Sequence, residues 1–313
     1  MITEPYKFTS CNIKIHTEKF GEPIHIYPIG DVHRYCEFHA KKAFNRFLAD
    51  TKKKLDTGEK SLFIGMGDEI EGMSRKERRS LIEGAFHDET YIKLSKAFTN
   101  EIDQYVRDTS FMVTHPNAVL IGGVEGNHRG VIRRSFDESW KNSCDYMYDR
   151  YAELDRSECT LADPDYIPRN LGGMTVIRVS INGGGIKSSV TICAVHGETI
   201  GGGKTKGGSI NAVTKLSSVI RANIYLAGHN HDKQIASGEV LDLRTNGGTH
   251  SIISVPIKYV RTGCYRTSYV PDRSCYPARS AYPPSSIGTP ELVVIPYRSG
   301  KKGVRIHIEG ESV

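Results

Sequence analysis

The chain has cysteines but no cysteine pairs. Its seven (Cys11, Cys36, Cys144, Cys159, Cys193, Cys264 and Cys275) are odd in number and scattered, and none forms a C-x-x-C pair. This argues against both a disulfide scaffold and a thiolate zinc site, and fits a reducing compartment. Apolar runs long enough to cross a bilayer are absent. The first residues, Met1-Ile2-Thr3-Glu4-Pro5-Tyr6-Lys7, lack the apolar stretch of a secretion signal. No repeat or low-complexity tract interrupts the chain. These absences predict a soluble, cytoplasmic globular protein with no membrane partner. They leave the oligomeric state open.

Among the 313 residues, 25% are charged and 38% hydrophobic, ordinary values for a globular protein. The net charge of +6 is a mild excess that favours acidic partners such as phosphate esters or nucleic acid. Short runs rich in Val, Ile, Leu and Tyr predict strands at Ile24–Ile29, Ser61–Met66, Ala118–Val124, Met174–Ile181, Ser189–Val195, Asn223–Ala227, Ser251–Val260, Glu291–Tyr297 and Val304–Ile308. Helical periodicity marks Phe38–Leu55, Tyr91–Phe111, Asp137–Leu154 and Ser209–Arg221, and Ser74-Arg75-Lys76-Glu77 has the form of a capping box. Strands alternating with helices, then a strand-rich last third, predict one α/β domain over residues 1–313, with sheets packed between helices. Residues 265–287, rich in Tyr, Arg, Ser and Pro, are expected to form a long ordered loop or lid.

The strand ends carry the chemistry. Ile24–Ile29 runs into Gly30-Asp31-Val32-His33, where the carboxylate and the imidazole share one face of an extended chain. The next strands end in Gly67-Asp68, in Glu125-Gly126-Asn127-His128, in His196-Gly197 and in Gly228-His229-Asn230-His231. Ligands bind at the carboxyl ends of strands in α/β sheets, so side chains distant in sequence can meet at one rim. Turn chemistry is satisfied by Asn, Asp, Ser and Gly and has no need of histidine. Five ends delivering Asp, Asn and His therefore predict a shared metal site, while His16, His25, His39, His87, His115, His250 and His307 read as ordinary structural or surface residues.

The order D-x-H, G-D, G-N-H, H, G-H-x-H over roughly residues 24–232 resembles the calcineurin-like metallophosphoesterase superfamily, and residues 233–313 follow as C-terminal strands and loop. The resemblance implies an α/β sandwich of two β-sheets flanked by helices, and a dinuclear centre. One ion would take Asp31, His33, Asp68 and His231, the other Asp68, Asn127, His196 and His229, with Asp68 bridging. The nitrogen and oxygen ligands suit Mn, Fe, Zn or Ni, with manganese foremost. His128 would be the general acid. Every expected ligand position is filled, which argues against a relative that kept the fold and lost the chemistry. Two positions depart from the family pattern: Arg129 stands where an acid is usual, and Glu71 is one methylene longer than the usual Asp or Asn.

The sequence reading is thus a hydrolase of phosphate esters, foremost a nuclease-like phosphodiesterase with nucleic acid as a candidate substrate. A phosphomonoesterase, including a protein phosphatase, is the alternative. Arg129, Arg133 and Lys204 are candidate substrate contacts near the motifs, and the basic runs Arg75–Arg79 and Arg129–Arg134 could draw in a polyanion. Tyr265, Arg266, Tyr269, Arg273, Tyr276, Arg279 and Tyr282 interleave aromatic and basic groups, as a single-strand stacking platform or a surface loop packed on a sheet would. A P-loop nucleotide-binding protein is a remote rival, because Gly203-Lys204-Thr205 lacks the glycine the pattern needs at Glu198 and Gly207-Gly208 should interrupt the following helix.

Overall fold

A computed structural model describes residues 9–72, 88–128, 131–132, 141–163, 165–198, 200–201, 205–246, 249–270, 284–299 and 303–311. In chain order the strands are β1 (Thr9–Thr17), β2 (Ile24–Ile29), β3 (Lys60–Gly65), β4 (Ala118–Gly123), β5 (Val131–Ile132), β6 (Lys141–Asn142), β7 (Arg169–Asn170), β8 (Met174–Gly183), β9 (Ile186–Val195), β10 (Ile224–Ala227), β11 (Lys233–Asn246), β12 (Thr249–Thr262), β13 (Glu291–Ser299) and β14 (Gly303–Glu311). They form two mixed six-stranded sheets. The first has the order β1-β8-β9-β10-β12-β11 and the second β14-β13-β2-β3-β4-β7.

Burial explains which strands the sequence shows plainly. β2, β3, β4 and β10 are covered on both faces and read as near-continuous apolar runs. Strand β1 is missed by the run-based reading because it alternates: Cys11, Ile13 and Ile15 face the core while the residues between them are exposed. The polar, glycine-containing β11 is missed as well. It pairs antiparallel with β12 over their whole length.

Three apolar clusters hold the layers together. Ile13, Ile15, Ile177, Val179 and Ile192 of the first sheet pack on Ile26, Ile64 and Ile121 of the second. Behind the second sheet, Phe44 of helix Lys41–Asp56, Tyr105 of helix Asp88–Thr109 and Met147 of helix Ser143–Ala152 cover Phe63 and Leu120. Behind the first, Val213 of helix Lys206–Thr214 and Leu216 cover Cys193 and Tyr225. Two sheets flanked by helices is the architecture the sequence reading expects.

Some boundaries differ. The third expected helix starts at Ser143, not Asp137, because Lys141–Asn142 is strand β6 and Asn142 caps the helix by accepting from Cys144 N. The fourth runs over Lys206–Thr214 and continues as a 3-10 turn to Ser218. It starts at Thr205, whose hydroxyl accepts from Gly208 N, so Gly207-Gly208 does not interrupt it. Tyr265 belongs to the core, with its ring 4.9 Å from Phe44 and its hydroxyl bonded to Thr289, and so cannot be a stacking surface. The capping box at 74–77, the basic run 75–79 and Arg273, Tyr276, Arg279 and Tyr282 lie outside the described residues.

Candidate metal centre

The loops after β2, β3, β4, β9 and β10 bring the predicted residues together at one rim. The backbone there is unusual. Asp31, His33, Asp68, His229 and His231 all have positive φ, between 48° and 69°, and Tyr35 has φ 75°. Left-handed backbone costs an L-residue with a Cβ roughly 1–2 kcal/mol. Such strain persists where the surroundings enforce it and clusters at functional sites. Here the enforcement is a ladder of backbone bonds: Asp31 N donates to Gly67 O and His33 N to Asp68 O, both at 2.9 Å. Gly126 is required by crowding, since a Cβ there would lie 2.0 Å from Asp68 Oδ1.

Two groups result, each with ligand atoms within 4.8 Å of one another: Asp31, His33 and His231, and Asp68, His196 and His229. In the first, Asp31 Oδ1 lies 3.4 Å from His231 Nε2 and 3.8 Å from His33 Nε2, and the two Nε2 atoms are 3.0 Å apart. In the second, Asp68 Oδ2 lies 3.1 Å from His196 Nε2. Asn127 Oδ1 joins this group at 2.9 Å from both His196 Nε2 and His229 Nδ1.

The donor set fits divalent cations because acceptors face acceptors. Each aspartate has one oxygen committed: Asp31 Oδ2 accepts from His229 N and Asp68 Oδ1 from His128 N, both at 2.8 Å. The other oxygens, Asp31 Oδ1 and Asp68 Oδ2, are buried with no hydrogen-bond partner. Orphaned buried carboxylate oxygens are costly unless a cation or donor meets them. The imidazole tautomers agree. His196 Nδ1 donates to Met66 O at 2.8 Å, and His33 Nδ1 donates to Glu71, so both turn a lone pair inward from Nε2.

The buried carboxylates and imidazoles shift one another's proton affinities. Burial alone would lower the pKa values of His196 and His33. For His196, Asp68 and Asp31 outweigh burial and raise it to about 10; for His33, Asp31, Glu71 and Asp68 raise it to about 9. Burial dominates at His231, and at His229 it is joined by neighbouring His196, so both are lowered. Asp31 and Asp68 stay below the ordinary aspartate value despite burial, held there by the histidines around them.

His128 sits beside this array, its ring centroid 5.0 Å from that of His33. Its Nδ1 is 3.3 Å from Glu71 Oε1. The extra methylene of Glu71 therefore gives it reach: one carboxylate holds both His33 and His128. Burial would lower the His128 pKa, and Glu71 with Asp68 raises it instead. Arg129, Arg133 and Lys204 lie outside the described residues.

Two residues near the site are absent from the sequence reading. Glu69 is buried among Tyr105, Tyr148 and Tyr151 and accepts from Gly67 N at 3.1 Å, and burial lifts its pKa to about 7. Arg261 is fully buried on β12 and donates to Ser209 O, Gly228 O and Gly201 O at 3.0, 3.0 and 2.7 Å. It thereby fixes the turn before His229. An arginine inside the apolar run Tyr259-Val260-Arg261 is the signal that could have revealed it. A further acid-and-histidine group, His25 with Glu59 and Glu291, has its cation already, for Lys54 Nζ lies 2.8 Å from Glu291.

No family model matches the chain, and no curated protein matches it. Among solved structures it is similar to wild-type Vps29 of Entamoeba histolytica complexed with zinc, at 12% identity and TM-score 0.30, covering 91% of this chain and 98% of that one. A conserved uncharacterized protein of Streptococcus pneumoniae, a predicted phosphoesterase, matches at 10% identity and TM-score 0.28, covering 92% and 98%. GAP50, the anchor in the inner membrane complex of Plasmodium, matches at 10% identity and TM-score 0.35, covering 92% and 88%. Likenesses this low carry no argument about activity. Two mixed sheets flanked by helices, with the D-x-H to G-H-x-H residues gathered at one rim, are the architecture and placement that the resemblance to calcineurin-like metallophosphoesterases implies.

Proposed function

We propose that this chain is a metal-dependent phosphoesterase with a dinuclear centre, acting on phosphodiesters and with nucleic acid as substrate. The observation that supports it most is the pair of buried aspartates, each with one oxygen bonded to backbone and the other unpartnered among inward-facing nitrogens. One ion would be held by Asp31, His33, Asp68 and His231, the other by Asp68, Asn127, His196 and His229. Bound there, divalent cations supply polarisation of a phosphoryl oxygen and activation of water as the nucleophile.

The chain's own residues do the rest. His196 and His33 are oriented by Met66 O and Glu71. His128, with Nδ1–H toward Glu71, keeps Nε2 for the proton that the leaving alkoxide needs. The diester preference is supported by the net charge of +6 and by Arg129 and Arg133 following His128 in sequence.

The test is hydrolysis of a chromogenic phosphodiester against its monoester by metal-stripped protein resupplied with manganese, with Asp68→Asn alongside. Diester cleavage that is faster and at least 100-fold reduced in the variant is the expected result. Faster monoester cleavage would move the assignment to a phosphatase, and metal-independent turnover would overturn it.

A further inference from the structure

The outer face of the first sheet carries a second feature, at the end of β9 away from the metal centre. A groove of about 820 Å³ runs over β1, β8 and β9 and is walled by the β11–β12 hairpin. Its floor is set by register. Lys14 pairs with Ser180 and His16 with Asn182, and Asn182 pairs in turn with Lys187, while Arg178 lies on the same face of β8. These side chains point away from the buried Ile13, Ile15, Ile177 and Val179, as alternation requires.

Lys14, His16, Arg178 and Lys187 are all exposed. Among the described residues, no ion pair is seen for Lys14, Arg178 or Lys187. Strand spacing and rise place the three cations within about 15 Å of one another. Like charges so close repel, and among the described residues the one acid lining the groove, Glu239, lies on the hairpin and takes the Ser254 hydroxyl at 2.6 Å. The floor thus holds uncompensated positive charge among hydroxyl and amide groups that can bond phosphate oxygens. Tyr297 lines the groove and is 41% exposed, which leaves an aromatic face available to a base.

We infer that this groove is a binding site for single-stranded nucleic acid, remote from the metal centre: phosphates lie on Lys14, Arg178 and Lys187, and a base stacks on Tyr297. An uncovered sheet face with basic groups and an aromatic is a platform on which single strands bind. An acidic peptide would use the cations but would leave the tyrosine without a stacking partner. From Lys187 to His196 the chain advances nine residues along β9, roughly 30 Å, so the groove would hold a strand while the rim cuts another part of it. The inference rests on the proposed phosphodiesterase reading for its substrate.

The experiment measures binding of a fluorescein-labelled 20-mer oligo(dT) by anisotropy, to the full chain kept in chelator so that the rim contributes no metal. The comparison is the triple variant Lys14→Glu, Arg178→Glu, Lys187→Glu, with Lys14→Gln, Arg178→Gln, Lys187→Gln as the milder set and a thermal melt for each. Expected is at least tenfold weaker binding in the charge-reversed protein. The slope of log affinity against log salt should become shallower by about 2, as three lost phosphate contacts require. Tyr297→Ala should weaken binding severalfold with an unchanged slope. Unchanged oligonucleotide affinity in both triple variants would overturn the inference, and so would equal loss of a labelled poly-glutamate, which would assign the groove to acidic protein. Manganese-dependent turnover of the small chromogenic diester should be the same in all variants. Its absence in the unsubstituted protein would instead remove the catalytic reading and leave the groove standing.

Discussion

Asp31 and Asp68 each divide their two oxygens between a backbone N–H and an inward position without a partner. That division separates ligands from helpers. A residue that shapes the array without completing it can be removed at the expense of rate alone. His128→Ala should therefore cut diester turnover about 10²–10⁴-fold, the usual worth of a positioned proton donor, while bound metal measured by atomic emission stays at the unsubstituted level. Loss of the metal would move His128 into the ligand set. At this scale the sequence was most informative, because the strand ends, and the resemblance their order carries, pointed to Asp31, His33, Asp68, Asn127, His196, His229 and His231, which the fold gathers at one rim. The double contact of Glu71 was not legible, since a motif shows its length but not that His33 and His128 converge on it from different loops.

Elements were legible in proportion to their burial. The parallel strands β2, β3, β4 and β10 announce themselves because no water-facing residue breaks the run. Strands β1 and β11 lie at opposite edges of the first sheet, where half-exposed patterns weaken the signal. The tie between β13, β2 and helix Lys41–Asp56 could not be seen either. There Glu291 meets His25 Nδ1 at 2.5 Å and Lys54 Nζ at 2.8 Å, joining residues more than 230 positions apart. Burial would raise the Glu291 pKa, but His25 and Lys54 hold it down at about 2, below the ordinary 4.5. A carboxyl depressed on folding contributes stability that is present above pH 4.5 and is lost as pH falls from there towards 2. Melting temperatures of the unsubstituted protein and Glu291→Gln should therefore differ most at pH 6–7, with the gap narrowing below pH 4.5 and closing only as pH approaches 2. A constant gap would mean that the glutamate acts by packing alone.

For the whole molecule, the arrangement of the two groups matters more than their composition. Asp31 and His33 follow a strand of the second sheet and His231 one of the first; Asp68 follows the second, and His196 and His229 the first. Cation binding therefore joins both layers and favours the folded state over the unfolded chain. At a hundredfold excess over its dissociation constant, an ion adds about 2.7 kcal/mol, and manganese should raise the melting temperature by roughly 5 °C over protein in chelator. An Asp68→Asn protein should show a much smaller rise, and an equal one would place the bound ion elsewhere. Among the described residues no helix is long and apolar enough to cross a membrane.

The shared ownership of both groups has a mechanical side. The sandwich is like a book whose covers meet at one open edge, and the clasp is made of matching halves fixed to each cover. If thermal motion, a ligand wedged at the rim or a pulling force parts the sheets there, Asp31 and His33 separate from His231 while Asp68 separates from His196 and His229. Neither half can then hold its grip by itself, so the clasp opens and closes as one unit with the two sheets.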